Sequence, residues 1–293
     1  RFLSPPVGRG QQLFVLTRGD GMLCLNCLAR GTGEIEWQQP LAFSDNWATR
    51  FQEMTNPAST CSVCLLSGEN VICSLSSGLV MALRATDGQL QWATAVRDVE
   101  PQQEQRGFLM PGDEPPQMFV NSPGILVPFA NDDLLVCSDS QSLMVAGVDT
   151  RTGEILWQSS RRAFGPGDVG NSYDLYIAGL SGNQAIMIGE RHCRSIDLKT
   201  GDQNWVVPVL RSTGRAECRG DRCLIPQSDG RTLLVNLKDG TTVRQRLSFL
   251  PDDAVLQYGA ITSDDDIVCI STPVSLNIFP RADALIRSTV PET

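Results

Sequence analysis

Histidine is almost absent from this 293-residue sequence, which contains only His192. A Ser–His–Asp or Cys–His catalytic group would therefore have to use that one residue. His192 lies between Arg191 and Cys193 in a segment that reads as a strand, and no G-x-S-x-G motif or phosphate-binding loop occurs in the sequence. We predict a packed or surface histidine and no catalytic residues.

Basic residues and long apolar runs are also in short supply. The 24 Lys and Arg residues against 33 Asp and Glu residues give a formal net charge of −9. Nucleic acids and anionic membranes require a basic surface, which this balance disfavours. No apolar run reaches the roughly 20 residues of a membrane-spanning helix. We predict no nucleic-acid partner and no direct membrane insertion.

The ten cysteines include no adjacent pair. Cys24 with Cys27, and Cys61 with Cys64, have the C-x-x-C spacing of zinc sites. However, Cys24 and Cys27 fall on a predicted strand, where side chains three residues apart face opposite sides. We therefore interpret the cysteines mainly as small buried side chains and predict no metal ligands. The high count favours an oxidising compartment.

One cysteine pair is different. Cys218 and Cys223 flank Gly220–Asp221, which reads as a two-residue hairpin turn. Such a turn would place both residues opposite each other, at a non-hydrogen-bonded pair where side chains are closest. This spacing makes a disulfide between Cys218 and Cys223 possible.

The acidic residues cluster in turns, where we expect solvent to screen their charges.

Five segments of the sequence share one pattern of strand, tight turn and strand. They are CLARGTGEIEW (Cys27–Trp37), ALRATDGQLQW (Ala82–Trp92), GVDTRTGEILW (Gly147–Trp157), SIDLKTGDQNW (Ser195–Trp205) and LVNLKDGTTVR (Leu234–Arg244). Glycine always occupies the seventh position, where a turn with positive φ is expected, at Gly33, Gly88, Gly153, Gly201 and Gly240. These glycines lie 55, 65, 48 and 39 residues apart. A unit of about 40 residues fits a four-stranded propeller blade, with insertions in the longer gaps.

Tryptophan occupies the eleventh position of the first four copies, as Trp37, Trp92, Trp157 and Trp205. The pattern A-x-D-x-x-T-G-x-x-x-W resembles the tryptophan-docking motif of pyrroloquinoline-quinone (PQQ) type β-propeller repeats. The resemblance covers roughly residues 13–280 and extends to PQQ-repeat proteins of unassigned role from planctomycete-type bacteria. It implies that each Trp packs between adjacent blades, against the small residue at position one. The fifth copy has Leu234 and Arg244 instead, so we expect its blade to dock differently.

We predict an all-β protein, a single propeller domain over residues 1–293 with four-stranded antiparallel blades. Six blades are expected, with seven or eight as alternatives. The first predicted blade ends at Trp37. The other five span about 62–95, 118–159, 175–209, 216–247 and 254–279. The fourth strand of the last blade is either Ala284–Val290 or a segment preceding Arg1. Because the sequence starts at Arg1 and not at Met, we expect a fragment of a longer protein. Residues 97–117, rich in Pro, Gln and acids, are predicted to be a long inserted loop.

The resemblance includes both quinoprotein dehydrogenases and a non-catalytic, BamB-like branch. In the enzymes the resemblance would imply a disulfide of adjacent cysteines beneath PQQ, a Ca²⁺ site and eight enclosing repeats, which this sequence does not match. We therefore predict a non-enzymatic binding or scaffolding module, without a cofactor, for an unidentified protein or peptide partner. A periplasmic or otherwise extracytoplasmic location is expected. The alternatives are a PQQ- and Ca²⁺-dependent dehydrogenase-like domain, or a module binding a small ligand or metal in the central channel.

Overall fold

The computed structural model describes residues 2–19, 21–43, 63–75, 78–96, 129–131, 133–138, 144–165, 172–210, 212, 214–228, 231–246, 261–263, 267–271 and 276–280. The predicted insertion at 97–117, Trp47, Cys61 and the segment 284–290 lie outside these residues. The chain divides into two compact units, Arg1–Ser160 (unit 1) and Arg161–Thr293 (unit 2). Among the described residues, no helix is long and apolar enough to cross a membrane.

Within the residues that the structure describes, unit 1 contains three four-stranded antiparallel sheets, each with its strands in sequence order. The first sheet consists of β1 (Val7–Arg9), β2 (Gln12–Gly19), β3 (Met22–Ala29) and β4 (Ile35–Phe43). The second consists of β5 (Val63–Ser67), β6 (Asn70–Ser74), β7 (Leu79–Arg84) and β8 (Leu90–Ala95). The third consists of β9 (Phe129–Ala130), β10 (Leu134–Cys137), β11 (Met144–Asp149) and β12 (Ile155–Ser160).

Unit 2 contains two further four-stranded antiparallel sheets and one three-stranded sheet within the described residues. The fourth sheet consists of β13 (Asp174–Ser181), β14 (Gln184–Gly189), β15 (His192–Asp197) and β16 (Gln203–Pro208). The fifth consists of β17 (Glu217–Arg219), β18 (Arg222–Pro226), β19 (Arg231–Asn236) and β20 (Thr242–Arg246). The sixth consists of β21 (Ile261–Ser263), β22 (Ile267–Ser271) and β23 (Leu276–Pro280). The predicted all-β architecture of four-stranded antiparallel blades is confirmed, whereas the number of blades stays a prediction.

The core of each unit lies between consecutive sheets. In unit 1, one apolar cluster joins the first two sheets through residues such as Phe14, Leu25 and Leu83, and another joins the second and third. In unit 2, a third cluster joins the fourth and fifth sheets. The two middle strands of a sheet are covered on both faces, and β14 is buried from Ala185 to Gly189. Continuous apolar runs are therefore found there instead of strict alternation.

The first strand follows two consecutive prolines. β1 is Val7–Arg9 and pairs with Gln12–Phe14. Pro5 and Pro6 lack the N–H group needed for a strand ladder. The regular pairing therefore begins only after the two prolines.

Candidate functional site

The turn of each repeat is closed by its own polar groups. In the third repeat, the Asp149 carboxylate accepts hydrogen bonds from the N–H groups of Arg151 (2.8 Å) and Thr152 (2.9 Å). The Gly153 N–H donates to the carbonyl of Asp149 at 2.9 Å. Burial acts to raise the pKa of Asp149, but the two amide hydrogen bonds outweigh it and the pKa is lowered. The carboxylate therefore stays ionised and fixes the turn.

The seventh residue of every repeat adopts a backbone conformation that favours glycine. Its φ lies between 72° and 77° in all five copies, at Gly33, Gly88, Gly153, Gly201 and Gly240. A side chain at such a φ is strained, so the glycine is a requirement of the turn. Four of the five are buried, and Gly33 is exposed.

Three of the repeat tryptophans lie on the glycine turn of the following repeat. Trp92 donates its indole N–H to the carbonyl of Thr150 at 2.9 Å, three residues before Gly153. A Cβ atom added to Gly153 would meet the Trp92 ring at 2.6 Å, so only glycine allows this approach. The two equivalent contacts are Trp37 with the Ala85 carbonyl and Gly88, and Trp205 with the Leu237 carbonyl and Gly240.

The small residue at position one lies directly opposite the tryptophan of its own repeat. The pairs are Cys27 with Trp37, Ala82 with Trp92, Gly147 with Trp157 and Ser195 with Trp205. A Cβ atom on Gly147 would lie 2.3 Å from the Trp157 ring. Each strand pair shifts register immediately after this position, as in a β-bulge. The bulge and the small partner together leave room for the ring.

The fifth repeat has a different register. Leu234 pairs with Val243, and Leu233 pairs with Arg244, without the shift that the other four copies show. Arg244 is exposed. With no tryptophan to accommodate, the strand pair keeps regular pairing and has no bulge.

The four repeat tryptophans differ in burial. Trp92 and Trp157 are 8% and 7% exposed, whereas Trp37 and Trp205 are half-buried.

The only histidine belongs to a buried ionic cluster in unit 2. His192 Nε2 lies 2.8 Å from Asp174 Oδ1, and Arg194 Nε donates to the same oxygen at 3.0 Å. Arg194 Nη2 donates to Asp174 Oδ2, and Arg161 Nη2 donates to the Asp174 carbonyl at 2.6 Å. All three side chains of the Asp174–His192–Arg194 cluster are essentially inaccessible to solvent.

The burial of this cluster argues against a catalytic role. Both oxygens of Asp174 are engaged by protein donors, and no solvent reaches His192. A Cβ atom on Gly189 would lie 2.0 Å from the His192 ring, so the ring packs on the glycine backbone. We interpret the cluster as a structural tie between β13 and β15. The expectation that the acids lie in solvated turns is wrong for Asp174, which is fully buried on β13 and hydrogen-bonded to Arg194 and His192.

A polar groove of about 400 Å³ lies beside the docked Trp205 in unit 2. Its lining includes Asn183, whose amide donates to Asp197 at 2.8 Å, and Asn204, whose amide donates to Ser195 at 3.1 Å. Lys238 and Asp239 complete its charged rim. Most of its polar groups are thus already hydrogen-bonded within the protein. We therefore interpret the groove as part of the surroundings of Trp205 and not as a ligand site.

The nine described cysteines are unbridged in this structure, and seven of them are buried. Cys24 and Cys27 are both inside, and burial together with a hydrogen bond to Glu36 raises the pKa of Cys27 to about 12. Cys218 and Cys223 lie directly opposite each other on β17 and β18. Within the described residues, no group of three or more His, Cys, Asp or Glu side chains is arranged to hold a metal ion.

Sequence reasoning did not identify Asp174 or Arg194 as partners of His192. Two signals were available: His192 and Arg194 alternate on one strand and therefore share a face, and Asp174 begins the first strand of the same blade. Neither signal shows that all three side chains are buried, because that depends on the packing around the sheet.

Together, the repeated antiparallel sheets and the tryptophan-on-glycine contacts define a repeat protein of the PQQ-propeller class. A sequence model of the family described as "Outer membrane protein assembly factor BamB" matches residues 1–108 and 121–249. The chain belongs to this family of PQQ-repeat β-propellers. No curated protein matches the sequence significantly.

Solved structures show the same fold at low sequence identity. BamB from Moraxella catarrhalis is 17% identical, with a TM-score of 0.61 over 95% of this chain and 73% of that protein. A europium-containing methanol dehydrogenase is 13% identical, with a TM-score of 0.51 over 84% of this chain and 50% of the enzyme. The quinohemoprotein alcohol dehydrogenase from Comamonas testosteroni is 12% identical, with a TM-score of 0.53 over 86% and 43% of the two chains. These likenesses concern the fold and do not separate binding proteins from enzymes.

Proposed function

We propose that the chain is a non-enzymatic binding or scaffolding module that engages a protein partner outside the cytoplasm. Its family takes its name from an outer membrane protein assembly factor, and the match extends over most of the chain. An assembly factor needs an accessible surface and a rigid support. The tryptophan-on-glycine contacts of this chain provide rigidity between neighbouring blades of a unit.

The observation that carries the proposal is a set of exposed apolar side chains on outer strands of unit 1. Ile35 and Leu90 occupy the same ninth position of their repeats and are 60% and 52% exposed, and Leu156 is 50% exposed. Their strands, β4, β8 and β12, are edge strands of their sheets. Exposed apolar groups on strand edges favour association with another polypeptide.

Photo-crosslinking in the native cell tests this surface directly. A photoreactive amino acid placed at Ile35 or Leu90 is expected to give discrete protein adducts. The same group at Asp87, an exposed turn position of the second repeat, is the matched control and is expected to give none. If positions 35 and 90 give the same adduct pattern as position 87, the outer strands do not form the binding surface.

The competing proposal is a quinoprotein dehydrogenase, because a methanol dehydrogenase and a quinohemoprotein alcohol dehydrogenase share the fold. Such catalysis requires a cofactor in fixed geometry and a base that can reach the substrate proton. The Asp174 carboxylate cannot serve as this base, because it is buried and held by Arg194 and His192.

We expect the purified chain, mixed with PQQ and Ca²⁺, to show no stoichiometric cofactor binding by calorimetry. Dye-linked oxidation of alcohols or sugars is expected to remain at the level of a denatured control. Saturable binding at one PQQ per chain together with turnover would instead establish the dehydrogenase proposal.

A further inference from the structure

Four of the nine described cysteines face another cysteine across a strand pair. Cys64 on β5 is the register partner of Cys73 on β6, and Cys218 on β17 is the register partner of Cys223 on β18. The other five oppose different residue types: Cys24, Cys27, Cys137, Cys193 and Cys269. The Cys64–Cys73 pair lies in unit 1 and the Cys218–Cys223 pair in unit 2.

Both pairs lie in hairpins whose register is set by a two-residue turn. Ser67 and Asn70 close the first turn, and Arg219 and Arg222 close the second. Gly68 and Gly220 begin these turns with φ of 53° and 57°, as tight hairpin turns require. A strand slip that would separate either cysteine pair is therefore disfavoured.

The position of each pair along the ladder brings the two cysteines close. In a hairpin with a two-residue turn the closing pair is hydrogen-bonded, and the two kinds of pair then alternate. Cys218–Cys223 is one step from its closing pair and Cys64–Cys73 is three steps from its own. Both are thus non-hydrogen-bonded pairs, with Cα atoms about 4.5 Å apart. That distance falls at the short end of the range of about 4.4–6.8 Å found for disulfides.

The thiols of each pair already contact each other. Cys64 and Cys73 are hydrogen-bonded through their sulfur atoms, and so are Cys218 and Cys223. Ser4 Oγ lies 3.8 Å from the Cys64 sulfur. The hydrogen bond with Cys73, helped by that with Ser4, lowers the pKa of the Cys64 thiol, whereas the same bond and burial raise the pKa of Cys73. Cys64 is therefore the thiol of the pair that ionises more readily.

We propose that Cys64 and Cys73 form a cross-strand disulfide, a unit 1 counterpart of a disulfide between Cys218 and Cys223. The oxidant is a small-molecule or protein disulfide of the kind present in oxidising compartments. The proposal rests on strand register and sulfur contact and does not depend on the partner-binding role.

The chemistry is two successive thiol–disulfide exchanges. The Cys64 sulfur, having lost its proton, attacks one sulfur of the oxidant, and the oxidant's S–S bond breaks to release one thiolate. The Cys73 thiolate then attacks the Cys64 sulfur of this mixed disulfide and releases the second thiolate. One protein S–S bond replaces two S–H bonds, and the oxidant leaves as two thiols that carry both electrons and both protons.

Oxidative refolding followed by thiol counting tests the proposal. The reduced, denatured chain is refolded in a buffer of reduced and oxidised glutathione, then denatured in N-ethylmaleimide and weighed by mass spectrometry. Ten cysteines with two disulfides leave six maleimide adducts. Cleavage after Glu69 separates Cys64 from Cys73, and cleavage after Arg219 separates Cys218 from Cys223, so each crosslink is seen as a linked peptide pair.

Variants assign the crosslinks. Cys73→Ser is expected to leave nine cysteines and seven adducts, with only the Cys218–Cys223 crosslink. Cys137→Ala, which removes a buried cysteine opposite Ala146, is the control and is expected to keep both crosslinks and give five adducts. Cys61→Ser is expected to keep the Cys64–Cys73 link. The unfolding transition shows whether the wild-type protein has refolded to its native state. The proposal is overturned if most natively refolded molecules have both Cys64 and Cys73 alkylated. It is also overturned if Cys73 is linked to a cysteine other than Cys64.

Discussion

Replacing Trp92 with alanine is expected to lower the free energy of unfolding by about 3–5 kcal/mol, the usual cost of removing a buried large aromatic side chain. Trp92 is 8% exposed and packs with Ile72, Ala82 and Leu135 in the core between the second and third sheets. The variant also loses the hydrogen bond from the indole to the Thr150 carbonyl. Urea-induced unfolding of the purified chain measures the change.

A matched control for this prediction is Gln91→Ala. Gln91 precedes Trp92 on β8 and is exposed, so its replacement is expected to change stability by less than about 0.5 kcal/mol. The repeat pattern further predicts that Trp47→Ala costs less than Trp157→Ala. A larger loss for Trp47→Ala would contradict the assignment of tryptophan to position eleven of the repeat.

Two glycines allow the energetic effect of the contact between Trp92 and Gly153 to be separated from the effect of the turn conformation. Gly33 and Gly153 occupy the same repeat position with φ of 74° and 75°. A Cβ atom at Gly33 meets nothing within 4 Å, whereas one at Gly153 meets the Trp92 ring. Gly33→Ala should therefore show only the backbone strain, about 1–2 kcal/mol. Gly153→Ala should add about 1–3 kcal/mol for displacing the ring. Equal losses in the two variants would show that the ring contact contributes nothing.

The repeat pattern predicted most of the fold because each copy contains the residues that determine its own turn and its two flanking strands. Gly153 with Asp149 specifies a turn within a few residues, and an apolar strand on either side completes a hairpin. Five repetitions in one frame then indicate a multi-bladed, all-β protein without knowledge of any long-range contact. The sixth sheet, formed by β21, β22 and β23, corresponds to the predicted last blade at about 254–279, although that blade has no tryptophan hairpin.

Features that depend on packing between segments were harder to predict. Residues 18–20 apart in sequence meet in the Asp174–His192–Arg194 cluster, and no local pattern marks Asp174 as buried. The Cys64–Cys73 pairing was missed for a different reason. Cys64 and Cys73 flank a two-residue turn that begins at Gly68, just as Cys218 and Cys223 flank the turn at Gly220. However, the C-x-x-C spacing suggested Cys61 as the partner of Cys64. The bulge after position one could not be predicted either, because it arises from the room that the tryptophan ring needs.

The second large effect is expected from Asp174→Asn, which should lower the free energy of unfolding by about 3–5 kcal/mol. Asp174, His192 and Arg194 are fully buried, so the attraction between the carboxylate and the Arg194 guanidinium offsets the cost of removing both charges from water. The asparagine keeps the shape of the aspartate but leaves the buried guanidinium without a compensating negative charge. Asp202→Asn, at an exposed position of the same unit, is the control and should change stability by less than about 0.5 kcal/mol.

A double variant distinguishes the loss of charge balance from the loss of packing. In Asp174→Asn with Arg194→Met, both ionic charges of the pair are gone, and an apolar side chain of similar length fills the guanidinium's place. Replacing both members of a buried ion pair is often neutral, so we expect the double variant to be more stable than Asp174→Asn alone. Urea unfolding of the wild type, both single variants (Asp174→Asn and Arg194→Met) and the double variant measures this. If the double variant is as unstable as the sum of the two single variants, the cluster stabilises unit 2 through its hydrogen-bond geometry, and the charge-balance explanation is wrong.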